Sequence, residues 1–152
     1  MRVGIATDHG GFSLKEELAA YLRDVGHEVV DFGAHSVIPD DDYPDFVIPL
    51  ARAIAAGGVD RGVAVCGSGV GASVCANKVP GVRAGLIQDH YSARQGVEHD
   101  DMNIFCIGAR VVGPAVARNL IDAFLAAGFS GEERHVRRLG KVASLEVQLV
   151  HQ

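Results

Sequence analysis

The stretch GVAVCGSGVG, residues 62–71, decides how this chain folds. Its apolar start, Gly62–Val65, predicts a short β-strand that is buried on both faces. Cys66 ends this run, and three glycines alternate with small residues behind it until a helix begins near Gly71. A buried strand, a glycine-rich turn and a helix form the unit from which α/β domains with parallel sheets are built.

The same unit recurs on both sides of this stretch. Four further apolar runs predict strands, and the segments between strands show helical periodicity or helix-ending glycines. The predicted strands lie at Arg2–Ala6, Glu28–Phe32, Arg83–Ile87 and Ile104–Ile107, and the further helices at 14–25, Phe46–Ala56, Ser92–Glu98 and Pro114–Ala127. This alternation predicts a doubly wound α/β domain around a parallel five-stranded sheet. From about residue 132 the sequence predicts a final helix outside the alternation, which we expect to reach a partner subunit.

Length, charge and cysteine content narrow the class of protein. A chain of 152 residues suits one domain over residues 1–152. The net charge of −5 disfavours nucleic acid or a membrane surface as a partner, because both usually need a basic face. The first apolar run ends at Asp8, too early for a signal peptide. The three cysteines show no paired spacing, so we expect a reducing, cytoplasmic location.

The glycine-rich stretch is the first candidate site, because ligands of open α/β sheets bind at the carboxyl ends of the strands. Glycines allow several N–H groups to point into one concavity, and the start of a helix adds positive potential. Such a cradle favours the thiolate form of Cys66. The alternative is that Cys66 is a small buried apolar residue in an ordinary turn. The stretch lacks the terminal Lys-Ser/Thr of a Walker A loop.

Two other motifs carry candidate chemistry. After the first strand, the stretch DHGG offers Asp8 and His9 as an acid/base pair, or a turn in which Asp8 satisfies backbone donors. In the tail, Arg134 and Arg138 are four positions apart and share one face of a helix, as a phosphate clamp requires. The alternative for the tail is a solvated basic surface.

Acidic clusters raise the question of a metal. DDDYPD (Asp40–Asp45) and HDD (His99–Asp101) contain residue types that bind metals, but their spacing is not specific and acidic loops are mostly solvated. We therefore predict no metal and no other cofactor. Cys75 and Cys106 lie within apolar patterns and are expected in the core.

Several motifs follow one another in a distinctive order: DHGG, DYP, CGSGVG with ANKVPGVRA behind it, EHDDMN, GARVVG and RHVRR. Together they resemble the ribose-5-phosphate isomerase B family, which also includes subunits of galactose-6-phosphate isomerase. The resemblance covers nearly the whole chain. It implies a Rossmann-like three-layer α/β/α sandwich, and a homodimer or homotetramer with active sites at the subunit interface. It also implies metal-independent aldose–ketose isomerisation of a sugar phosphate.

The resemblance assigns proton transfer to the glycine-rich stretch. Cys66 matches the family's general base, which moves a proton between C1 and C2 of the sugar through an enediolate. Some members use a glutamate later in this loop, but Ala72 stands there in this chain. His99 matches the histidine that opens the furanose ring. The enediolate oxygens would be held by Ser68 and by the backbone N–H groups of Gly67, Gly69, Val70 and Gly71.

The remaining matched residues bind substrate. Asp8 and Tyr43 match residues that contact the sugar hydroxyls or the ring oxygen. Arg110 matches a further arginine on the substrate side. The family's phosphate-binding set is matched by His9, Arg134 and Arg138.

Asp100, also counted among the substrate-binding residues, departs from the family pattern. Many ribose-5-phosphate isomerases have asparagine after the histidine that matches His99. An ionised aspartate only accepts hydrogen bonds, and it adds negative charge close to a phosphorylated substrate. We expect interconversion of ribose 5-phosphate and ribulose 5-phosphate. The alternatives are erythrulose 4-phosphate with erythrose 4-phosphate, or a hexose 6-phosphate such as allose or galactose 6-phosphate.

Two other classes of protein compete with an isomerase. A non-catalytic nucleotide-binding module has no use for a thiol in the glycine-rich loop. A metal-dependent phosphatase would use two clusters, Asp8 with His9 and His99 with Asp100, and would lose its activity in chelator.

Overall fold

The computed structural model describes residues 1–150, with side chains described as far as residue 147. It contains five strands and six helices in alternation, as the sequence predicts. In chain order they are β1 Arg2–Thr7, α1 Phe12–Asp24, β2 Glu28–Asp31, α2 Pro44–Ala55, β3 Arg61–Cys66, α3 Val70–Ala76, β4 Ala84–Leu86, α4 His90–Asp100, β5 Ile104–Gly108, α5 Pro114–Ala126 and α6 Glu133–Val150. A single 3₁₀ turn, His9–Gly11, joins β1 to α1.

All strand pairs of the sheet are parallel, in the order β2-β1-β3-β5-β4. Buried side chains of α1, α4 and α5 cover one face of the sheet, and those of α2 and α3 cover the other. The predicted Rossmann-like, doubly wound three-layer sandwich is therefore confirmed. Because β1 and β5 lead to helices on one face and β3 leads to a helix on the other, a crevice opens on each side of the end of β3.

The ends of helix α4 differ from the predicted bounds because the capping residues determine where the helix starts and stops. Helix α4 begins earlier than predicted because the Asp89 carboxylate accepts the N–H of Ser92 at 2.7 Å. It continues to Asp100 and stops where Asp101 adopts a left-handed conformation with φ of 48°. His99 and Asp100 thus occupy the last turn of a helix.

A buried ion pair fastens α1 to the sheet. The ammonium group of Lys15 is fully buried and lies 2.8 Å from Asp31 Oδ2 at the end of β2. It also lies 2.6 Å from the more exposed Glu16. Since a buried charge without a partner is costly, this pair fixes where α1 crosses β2.

Helix α6 lies outside the sandwich, as predicted. Within residues 133–147, His135 is the buried side chain, and four apolar side chains, Val136, Val142, Leu145 and Val147, are more than half exposed. The Glu146 carboxylate accepts the N–H of Gly81 at 3.1 Å, so α6 leans over the loop before β4. None of the helices within residues 1–150 is both long and apolar enough to cross a membrane.

Candidate active site

Cys66 is the last residue of β3, and the turn that follows it carries several backbone N–H groups. Its side chain is 5 % exposed, and its sulfur accepts the backbone N–H of Gly69 at 3.0 Å. The Ser68 hydroxyl accepts the N–H of Val70 at 3.2 Å, at the start of α3. The turn therefore folds back over the thiol and leads into a helix N-terminus, where positive potential collects.

Two glycines make this turn possible. Gly69 has φ of 84°, and an added Cβ would lie 2.6 Å from Leu86 Cδ1 and 2.8 Å from the carbonyl carbon of Ile107. At Gly108, an added Cβ would lie 2.5 Å from the Ser68 carbonyl oxygen. Backbone of the Cys66 turn and backbone at the end of β5 are thus in direct contact, which only glycine allows.

The loop after β1 forms the other wall of this region. Asp8 is 8 % exposed, and its Oδ1 accepts the N–H of Gly10 at 2.9 Å, so Asp8 does cap the turn. A Cβ added at Gly10 would lie 3.2 Å from the nitrogen of Gly67. The DHGG and CGSGVG loops therefore touch at the carboxyl edge of the sheet.

Tyr43 and Arg110 close the region from two further directions. A Cβ added at Gly71 would lie 2.9 Å from Tyr43 Cζ, so the phenol ring packs on the start of α3. A Cβ added at Gly67 would lie 3.8 Å from Arg110 Nε, which puts the guanidinium beside the Cys66 turn. The N–H of Arg110 also donates to the carbonyl of Gly67 at 3.0 Å.

Asp41 joins this group, although the sequence analysis did not single it out. Its Oδ1 lies 2.6 Å from Nδ1 of His9 and accepts the backbone N–H of His9 at 2.9 Å. This hydrogen bond, opposed by desolvation, raises the pKa of His9. Asp40 and Asp42 are exposed as expected for an acidic loop, but the Asp41 side chain is 8 % exposed. Its position directly before the DYP motif was the available signal.

Asp8, His9 and Asp41 offer ligand atoms that all lie within 4.8 Å of one another. These oxygen and nitrogen donors fit a divalent cation by type. The Oδ2 atom of Asp41 is buried and has no hydrogen-bond partner among the described residues. The cluster therefore marks where a cation, or a hydroxyl or water donor, would be bound. Asp41 lies within DDDYPD, one of the two stretches with possible metal ligands, whereas the other stretch, HDD, contributes none of these three residues.

The rest of the predicted site lies at the opposite edge of the sheet. Helix α4 starts at the carboxyl edge and returns to the amino edge, where His99 and Asp100 end it. Asn103 follows them, and its carbonyl accepts the N–H of Gly62 at 2.9 Å, at the start of β3. Cys66 stands at the other end of that strand, about 15 Å away by the rise of a β-strand.

Arg134 and Arg138 belong to this second group. The N–H of Ser130 donates to the carbonyl of Glu98 at 2.9 Å, which brings the start of α6 to the end of α4. Both arginines are exposed, and Arg134 Nε lies 3.0 Å from Glu132. We name the two groups by their edges: the carboxyl-edge group is Asp8, His9, Asp41, Tyr43, 66–71 and Arg110, and the amino-edge group is His99, Asp100, Arg134, His135 and Arg138.

His135 is the second residue that the sequence analysis did not assign to the site. It lies within the RHVRR motif, and its ring is 1 % exposed and stacks on the ring of His99, with centroids 4.1 Å apart. Burial, with smaller contributions from His99 and Arg134, lowers the pKa of His135. No helical periodicity of buried residues pointed to His135, because it is the one buried side chain within residues 133–147.

Described sugar-phosphate isomerases are similar to this chain over nearly its whole length. The model of the Ribose/Galactose Isomerase family matches residues 3–142. Ribose-5-phosphate isomerase B of Escherichia coli is 40 % identical over 145 residues, which are 95 % of this chain and 96 % of that protein.

Solved structures agree with this match. The structure of ribose-5-phosphate isomerase B from Clostridium thermocellum superposes with a TM-score of 0.94 at 46 % identity, over 98 % of this chain and 99 % of that one. The structure of ribose-5-phosphate isomerase B from Mycoplasma genitalium, with bound ribulose-5-phosphate, gives a TM-score of 0.91 at 36 % identity, over 95 % of each chain. The chain belongs to the ribose/galactose isomerase family and is a sugar-phosphate isomerase.

Proposed function

We propose that this enzyme interconverts ribose 5-phosphate and ribulose 5-phosphate, with Cys66 as the general base. The observation that carries the proposal is the hydrogen bond from the Gly69 N–H to the Cys66 sulfur, at the carboxyl end of the central strand. The relatives described above act on or bind these two sugars by name. Cys75 and Cys106 are poor candidates for a base, because burial raises the pKa of both thiols.

The chemistry is a proton transfer between neighbouring carbons. The Cys66 thiolate removes the proton from C2 of the open-chain aldose, and the C1 carbonyl becomes one oxygen of an enediolate. The thiol then returns a proton to C1 while the O2 proton passes to O1, which gives the ketose and regenerates the thiolate. Negative charge on the enediolate oxygens is stabilised by the N–H groups of the Cys66 turn and by the Ser68 hydroxyl.

A single chain cannot bring its two residue groups to one substrate. The carboxyl-edge group lies about a strand length from the amino-edge group, whereas a pentose phosphate spans less than that. We therefore propose a homodimer, or a homotetramer built from it, in which His99, Asp100, Arg134 and Arg138 of one subunit complete the Cys66 site of the other.

Helix α6 has the surface that such an assembly requires. Two of its exposed apolar side chains, Val142 and Leu145, border with Leu139 a groove of about 580 Å³ between α6 and the β4 edge. Exposed apolar patches of this kind mark interaction surfaces in small soluble domains. Covering this helix with a second copy would bury the apolar face and place the amino-edge arginines at the interface.

Phosphate binding is assigned to cationic side chains from both edges. His9 carries a raised pKa because of Asp41, so it remains an imidazolium to higher pH than a free histidine. Arg134 and Arg138 would supply guanidinium groups from the partner subunit, and Arg110 lies beside the Cys66 turn. The bound phosphate then orients C1 and C2 against the thiol.

We propose that catalysis needs no metal. The base, the N–H groups and the cationic side chains provide the proton transfer, the enediolate stabilisation and the phosphate binding that the reaction requires.

The experiment that tests the proposed function compares specificity constants on ribose 5-phosphate and erythrose 4-phosphate, each with and without a chelator. We expect ribose 5-phosphate to be preferred and the chelator to change neither rate. Loss of turnover in chelator would instead assign the Asp8, His9 and Asp41 cluster to a required cation.

Asp100 favours a second candidate substrate, a four-carbon sugar phosphate. It is an exposed carboxylate in the same helical turn as His99. A tetrose 4-phosphate has no free O4 and cannot close a furanose ring, so it needs no ring-opening histidine. A large excess in the specificity constant for erythrose 4-phosphate would replace the pentose assignment.

A further inference from the structure

The imidazole rings of His99 and His135 lie face to face, with centroids 4.1 Å apart and planes 25° from parallel. His99 belongs to α4 and His135 to α6, so the pair joins two elements. We propose that His135 is a positioning residue, which holds the ring of His99 in the orientation needed to open the furanose ring of the substrate. This inference rests on the proposed role of His99.

Both rings are held at their edges as well as on their faces. The Ser130 hydroxyl oxygen accepts the N–H of Glu132 at 3.2 Å, which leaves its own proton for Nδ1 of His135, 2.6 Å away. Nδ1 of His99 lies 2.9 Å from the amide nitrogen of Gln95, one helical turn earlier. Gln95 therefore fixes one edge of the His99 ring, and His135 fixes the plane in which that ring lies.

This arrangement also selects the tautomer of His99. The Gln95 amide nitrogen is a donor, so Nδ1 of His99 accepts and the proton of the neutral ring resides on Nε2. The Nε2–H group is then the donor available to the ring oxygen of a sugar. Burial lowers the pKa of His135, which favours the neutral form of the ring that stacks on His99.

A purely structural role for His135 makes a different prediction. Among residues 133–147 of α6, His135 is the buried side chain, and the helix also carries Arg134 and Arg138. If His135 only fastened the helix, its loss would displace the arginines and raise KM for the phosphorylated substrate. If it orients His99, its loss lowers kcat and leaves KM nearly unchanged.

The first test is kinetic, with ribose 5-phosphate as substrate. The variants are His135→Ala, His135→Phe, which keeps a flat ring on the stack, and Ser144→Ala as an exposed polar control on the same helix. We expect His135→Ala to lower kcat about 10²-fold, the usual cost of a misplaced catalytic group. His135→Phe should recover most of that loss, and Ser144→Ala should match the wild type.

A double-mutant cycle then asks whether His135 acts through His99. In the His99→Ala background, adding His135→Ala should cause no further fall in kcat, because there is no ring left to orient. An undiminished second loss would overturn the proposal, as would a kcat for His135→Ala equal to that of the wild type.

The second test does not depend on turnover. In protein labelled with ¹³C-histidine, the ring signals of His99 should be single and sharp in the wild type and in His135→Phe. They should shift and broaden in His135→Ala. Unchanged His99 signals would contradict the proposal even if ribose 5-phosphate proved not to be the substrate, and absent wild-type turnover would contradict only the proposed function.

Discussion

The backbone N–H of Gly69 donates a hydrogen bond to the sulfur of Cys66 at 3.0 Å, and Gly69 can do so because its φ is 84°. The thiol at the end of β3 is therefore held by the turn that follows it. Cys66, the proposed base, is thus positioned before substrate arrives, and its geometry depends on a backbone conformation that favours glycine.

Gly69→Ala should disrupt this geometry. The new Cβ would meet Leu86 and the backbone of Ile107 at under 3 Å, in a conformation that L-residues rarely adopt. We expect a loss of stability of about 1–3 kcal/mol and a fall in kcat of about 10²-fold. Gly128→Ala is the matched control, since nothing lies within 4 Å of its added Cβ. Equal kcat values for the two variants would show that the conformation of this turn does not position Cys66 for catalysis.

Asp41→Asn should move the pH dependence of substrate binding. The carboxylate of Asp41 raises the pKa of His9, so His9 stays cationic to higher pH in the wild type. Without that charge the pKa of His9 falls, and the imidazolium is lost at lower pH. KM for ribose 5-phosphate should therefore begin to rise at a lower pH in Asp41→Asn. Superimposable profiles of log KM against pH would remove His9 from the phosphate site.

Asp31→Ala should destabilise the fold. It leaves the fully buried Lys15 with only the exposed Glu16 as a partner. We expect a loss of about 3 kcal/mol in the free energy of unfolding, as for other broken buried pairs. Glu28→Ala, which breaks an exposed pair with Arg2, should cost less than about 1 kcal/mol. Urea unfolding of both variants checks this; similar midpoints would contradict it.

Subunit exchange tests the proposed composite site. Cys66→Ala and Arg138→Ala dimers should each be nearly inactive. In a heterodimer one of the two sites receives both substitutions and the other receives neither. An equal mixture, refolded together, should therefore regain about a quarter of wild-type activity. No gain above the two separate variants would show that both residues serve the same site within one chain.

Much of the fold follows from local patterns in the sequence. The alternation of apolar runs with helices predicts β3 and its neighbours, because buried parallel strands are apolar throughout. Helix ends were less predictable where a side chain caps them, as Asp89 does for α4. The order of the strands depends on right-handed crossovers and packing, which no single stretch of sequence contains.

The site was predictable in part. The glycine-rich stretch predicts a cradle at Cys66, because close backbone approach at Gly69 and Gly108 requires glycine. The role of Asp41 depends on a contact with His9 across a distance of 32 residues in sequence, so the local pattern placed Asp41 beside the DYP motif but could not show this contact. His135 was missed for the same reason, since its partner His99 lies on another helix.

The most direct test of the central claim is the rate of ketose formation from ribose 5-phosphate, in chelator, for the wild type, Cys66→Ala and Cys75→Ala. Cys75 is the matched control because it is a partly buried thiol on α3, within the same loop-and-helix unit. We predict robust wild-type turnover, a fall of at least about 10²-fold in Cys66→Ala, and wild-type rates in Cys75→Ala. Wild-type rates in Cys66→Ala would contradict the assignment of Cys66 as the base.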